Sequence, residues 1–108
     1  MERRSFVRSA GLAGVLAAGA APAIVHAQAN IRWRLASSFP KALDTIFGAA
    51  DEFAKQVGAM TGGKFQITTH AGGELMPPFG VLDGVGNGTV EMAHTAPYYF
   101  FGKDPTYA

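Results

Sequence analysis

The sequence has no cysteine, so neither a disulfide nor a thiolate site exists in its 108 residues. Charge is scarce as well: Asp, Glu, Lys and Arg make up 16% of the chain. Three of the nine basic residues are Arg3, Arg4 and Arg8. From residue 28 onward six basic groups face seven acidic ones, a net charge of −1. That leaves no basic footprint for nucleic acid. Also missing is an unbroken apolar stretch of the ~20 residues that a membrane helix needs. The one extended apolar run, Gly11 to Ala23, is interrupted by Gly14, Gly19 and Pro22.

The same run has the features of an export signal. A basic start carrying Arg3-Arg4-Ser5-Phe6, an Ala/Gly-rich middle and the small-residue site Val25-His26-Ala27 place cleavage before Gln28. Ala27-Gln28-Ala29 offers a second site. The arginine pair points to the twin-arginine route. The expected organisation is therefore residues 1–27 as signal and residues 28–108 as the mature part, delivered to the periplasm. The 81 residues that remain can bury a small core only.

Within them, hydrophobic periodicity alternates between two and about 3.6. Ile31, Trp33 and Leu35 alternate with Arg32, Arg34 and Ala36, which reads as a strand that Pro40 stops. From Lys41 to Met60, apolar residues recur every three or four positions and predict a helix, ended by Thr61-Gly62-Gly63. Lys64 to His70 reads as a second strand, with Phe65, Ile67 and Thr69 on one face. Pro78 to Asn87 is a second helix, weakened by Gly80, Gly84 and Gly86. Thr89 to His94 alternates again, followed by the aromatic run to Phe101 and a turn over residues 102–105. The order β-α-β-α-β implies an α/β fold with parallel strands and right-handed crossovers.

In such sheets ligands bind at the carboxyl ends of the strands. Three loops gather there, and their candidate contacts are Ser37, Ser38 and Phe39, then Glu74, then Thr95, Tyr98 and Tyr99. Hydroxyls, backbone N–H groups and rings suit a small polar ligand. Two bland alternatives stand beside this reading: Ser37 and Ser38 as helix caps, and the rings of residues 98–101 as packing. His70, Glu74 and His94 match no metal-ligand spacing. Gly84-Val85-Gly86-Asn87-Gly88 precedes a strand and so lacks the helix start that a phosphate loop needs. An exported hydrolytic enzyme using His70 or His94 with Glu74 is the rival reading. A carboxylate or hydroxyl within reach of either imidazole favours it. Tyrosines lining an open cleft, with the histidines turned away, favour a binder.

Trp33 to Lys41, Leu43 to Gly48, Ala71-Gly72-Gly73-Glu74-Leu75, Gly88 to Thr95, and Tyr98-Tyr99 through Pro105 occur in one order. Together they resemble the start of the solute-binding proteins of tripartite ATP-independent periplasmic (TRAP) transporters, in the branch that binds α-keto acids. The resemblance implies a non-catalytic receptor without a cofactor. Its lobe would be half of a two-lobed, class II-like periplasmic binding fold that closes on a small carboxylate by hinge motion. It implies membrane subunits of the transporter as partners, and full-length relatives for which homodimers come into view. It also implies a bidentate arginine on the carboxylate, in a later part of the family's chain than the one present; Arg32 and Arg34 match no such position. The chain resembles the first third of a receptor, with the second lobe missing. Alone it is expected to bind pyruvate without useful affinity. It is also expected to be marginally stable, with Trp33, Phe65, Phe79 and the run from Tyr98 to Phe101 too numerous to hide.

Overall fold

The computed structural model describes residues 29–108; the expected signal segment and its cleavage before Gln28 lie outside the described residues. Three strands, β1 (Ile31–Ser37), β2 (Phe65–His70) and β3 (Met92–His94), form one parallel sheet in the order β2-β1-β3. Helix α1 (Asp44–Met60) connects β1 to β2. A 3-10 turn (Pro78–Gly80) running into the short helix α2 (Val81–Gly86) connects β2 to β3. The expected α/β order and the parallel pairing are both present.

Strand alternation sends β1 side chains to two different layers. Leu35 lies with Ala49, Ala50 and Phe53 of α1 around a cavity of about 210 Å³. Ala36, its neighbour, packs on the opposite face with Val81, Val90 and Phe100. The chain thus leaves β1 toward β2 over one face and returns past β1 to β3 over the other. The reversal between β1 and β3 is a topological switch point.

The helix stripe is half used. Phe47, Ala50 and Val57 are buried, whereas Leu43, Ile46, Phe53 and Met60 are exposed. A three-stranded sheet is narrower than the stripe. The start of α1 is also later than Lys41. Pro40 accepts the Leu43 N–H at 3.1 Å in a turn, and helical bonding begins only when Phe47 N–H reaches Leu43 O at 2.8 Å. The other end follows the glycines. Gly62 and Gly63 take positive φ of 60° and 78°, and Gly63 N–H returns to Gly58 O at 2.8 Å.

β3 is shorter than the alternation from Thr89 suggests, because Thr89 and Val90 donate back to Gly84 O instead of pairing with β1. A side chain fills the gap. The Glu91 carboxylate accepts the Arg34 backbone N–H at 2.8 Å and the Arg34 guanidinium at 2.7 and 3.1 Å. The Arg34 guanidinium also donates to Thr89 O at 2.7 Å. A carboxylate here does the work of a ladder carbonyl. The guanidinium and the backbone N–H hold its pKa down to about 2, against an ordinary 4.5. Stability from this group is therefore complete above pH 4.5 and is lost as the pH falls toward 2. We expect Tm to drop over that window in the wild type and to vary less in Glu91→Gln. Equal slopes for the two in calorimetry would contradict the assignment.

Candidate functional site

The carboxyl ends of β1 and β3 flank the switch point, and the candidate residues meet there. Ser37 and Ser38 are 1% and 6% exposed, so their hydroxyls must be satisfied from within. Ser38 donates to Pro78 O at 2.6 Å. A hydroxyl has one hydrogen, so the 2.7 Å contact with Thr95 Oγ1 is donated by Thr95. Ser38 N–H also donates to His94 O at 2.9 Å, which extends the β1–β3 pairing by a step. One serine thus ties together the loops after β1, β2 and β3. Ser37 Oγ accepts the Phe39 N–H at 3.0 Å and lies 3.1 Å from His94 Nδ1. Neither serine caps a helix: the N-cap of α1 is Leu43, and no side chain caps it. The capping alternative is replaced by loop tethering.

Rings build on this base. Phe39 is buried, with ring centroids 5.1 Å from His94 and 5.9 Å from Tyr99. Tyr99 meets Tyr98 and Phe79 edge to face at 4.9 and 5.1 Å. The 3-10 turn Pro97–Phe100 separates the aromatic run into roles. Phe100 enters the core, Tyr99 is half-buried in the ring cluster, and Tyr98 is 64% exposed. Packing therefore accounts for Phe100 and much of Tyr99, while Tyr98 is left open to solvent. Partial burial, and then Tyr98 beside it, raise the Tyr99 hydroxyl above the ordinary tyrosine pKa. Burial lowers that of His94, so both groups are neutral at pH 7.

Glu74 stands to the β2 side of this cluster. Its carboxylate is 3.2 Å from His70 Nδ1 and 3.8 Å from Lys41 Nζ. The loop that carries it is pinned by Gly72 N–H to Phe39 O at 2.9 Å. A β-carbon at Gly72 would lie 2.8 Å from Ser38 O, so only glycine fits so close to that backbone. Both histidines have a partner of the kind that favours an enzyme, but the acid is bonded to one imidazole and the hydroxyl to the other. The two pairs do not join into a nucleophile–base–acid relay. Among the described residues no three His, Asp or Glu side chains converge as metal ligands, and no helix is long and apolar enough to cross a membrane. Sequence reasoning missed Pro78 and Phe79 as members of the site. The signal was the proline pair, which sets a 3-10 turn beside Ser38.

Comparison with known proteins agrees with this architecture. The profile of the bacterial extracellular solute-binding proteins, family 7, matches residues 36–108. A monocarboxylate 2-oxoacid-binding periplasmic protein of Nostoc sp. is 52% identical over 79 residues, 73% of this chain and 21% of the relative. A TRAP transporter solute-binding protein of Bordetella bronchiseptica superposes with TM-score 0.69 at 49% identity, over 70% of this chain and 23% of that one. It is a mixed-occupancy dimer, with copurified calcium and picolinate in one active site and the other site apo. A TRAP periplasmic solute-binding protein of Pseudoalteromonas atlantica, with bound sodium and pyruvate, gives TM-score 0.67 at 34% identity, over 72% of this chain and 24% of that one. The chain spans about a fifth to a quarter of the length of these relatives. It belongs to family 7 of the bacterial extracellular solute-binding proteins.

Proposed function

We propose that this chain forms one wall of a periplasmic TRAP receptor for a small carboxylate, a 2-oxo acid such as pyruvate. It binds without catalysing a reaction and works with membrane subunits of the transporter. One observation carries the reading: Ser37, Ser38, Phe39, Thr95, Tyr98 and Tyr99 converge at the switch point, the place where parallel sheets receive ligands. The relatives taken up above, named for 2-oxo acids or crystallised with pyruvate or picolinate, support the ligand class. The carboxylate-reading guanidinium is not supplied by this wall. Arg34 is committed to Glu91 and Thr89, and Arg32 lies near the amino end of β1, away from the cluster. The described residues alone do not fit a cation such as the calcium or sodium of the relatives, since no ligand set converges.

A chimera tests the proposal. The matched 79-residue stretch of the Nostoc protein is replaced by the corresponding stretch of this chain, and pyruvate binding is measured by calorimetry. Affinity within about tenfold of the parent, a change of about 1.4 kcal/mol, is expected. A chimera that melts cooperatively but gives no binding heat would remove the reading.

A further inference from the structure

We propose that Phe79 makes this site favour a carboxylate that carries a ring over one that carries only a methyl group. The inference rests on the carboxylate-binding reading above. Phe79 is 63% exposed, and its ring has a defined neighbour in Tyr99. Its backbone follows Pro78, whose carbonyl takes the Ser38 hydroxyl at 2.6 Å. Its ring stands edge to face on Tyr99 at 5.1 Å and an interplanar angle of 77°. Through Tyr99 the wall continues to Phe39 at 5.9 Å and to Tyr98 at 4.9 Å.

Phe39, Tyr99, Phe79 and Tyr98 therefore form a cluster of rings rooted at the switch point and centred on Tyr99, with Phe79 and Tyr98 open to solvent. A methyl group touches one such ring. A flat six-membered ring laid on this surface can contact two of these rings and adopt the offset or edge-on contacts that aromatic pairs prefer. Partial burial raises the Tyr99 hydroxyl above the ordinary tyrosine pKa, so Tyr99 presents no phenolate to an anionic ligand.

The test uses the chimera described above, which carries this chain's Phe79, titrated separately with sodium picolinate and sodium pyruvate by calorimetry. We expect picolinate to bind the chimera more tightly than pyruvate. In Phe79→Ala the picolinate-to-pyruvate affinity ratio falls about two- to tenfold, the range of one aromatic pair. Phe79→Leu keeps apolar area without the ring and gives the same fall, which separates ring recognition from bulk. An unchanged ratio in both variants overturns the role of Phe79 while the carboxylate reading stands. A chimera that melts cooperatively but binds neither probe overturns the carboxylate reading, and this inference with it.

Discussion

Phe100→Ala is expected to abolish cooperative unfolding of this chain. The Phe100 ring is 3% exposed and closes the layer formed by Ala36, Val81 and Val90. Removing a buried phenyl group costs about 3–5 kcal/mol, from lost transfer energy and the cavity left behind. About eighty folded residues at ~0.05–0.15 kcal/mol each amount to roughly 4–12 kcal/mol in all. The variant therefore forfeits a large part of what holds the fold together. Urea unfolding followed by Trp33 fluorescence and circular dichroism measures this. The neighbouring Phe101→Ala is the control: Phe101 is 53% exposed, and its variant should stay close to wild type. A Phe100→Ala midpoint as high as that of Phe101→Ala would mean that this face is not closed by Phe100.

Gly72→Ala is expected to dismantle the carboxyl-edge loops with less effect on the sheet. The added β-carbon meets the Ser38 carbonyl at 2.8 Å for O and 3.0 Å for C, and neither atom can swing aside as a side-chain tip would. Relief requires the β2 loop or the β1 loop to move. Either shift threatens the Gly72–Phe39 bond and the Ser38 contacts with Pro78 and Thr95. Overpacking of this kind costs about 1–3 kcal/mol. Amide exchange should rise at Gly72 and Phe39 while the β1–β2 ladder from Ile31 to Leu35 stays protected. Uniform loss of protection along that ladder would show that the loop and the sheet are one unit.

Much of this was legible beforehand, for definite reasons. Alternation in Ile31–Leu35 and Phe65–Thr69 and the stripe of α1 are local signals, and the elements they predict are present. The meeting of the Ser37–Phe39, Thr95 and Tyr98–Tyr99 loops followed from the carboxyl-edge rule for parallel strands. Exposure of Trp33, Phe79, Tyr98 and Phe101 also accords with the surplus of large apolar groups read from the sequence, although Phe65 is half-buried and Phe100 is enclosed. What escaped were contacts between distant residues. The shortening of β3 depends on Glu91 reaching Arg34, a pair separated by 57 positions. The fate of the Ser37 and Ser38 hydroxyls depends on His94, Thr95 and Pro78, which no local pattern links to them. Which ring of residues 98–101 turns inward is set by the 3-10 turn, and neighbouring aromatic residues look alike in a sequence.

Under the proposed binding role, the triple tether at Ser38 bears on the thermodynamics of ligand capture. Holding a rotamer-rich side chain still costs about 0.5–1.5 kcal/mol when binding has to do it. Ser38 and Thr95 are already locked to each other, and Pro78 with them, so their ordering belongs to folding. Exposed Phe79 and Tyr98 retain more freedom to lose. Capture by this wall should therefore carry an entropic penalty concentrated in two rings, over a base that stays rigid whether or not a ligand is there.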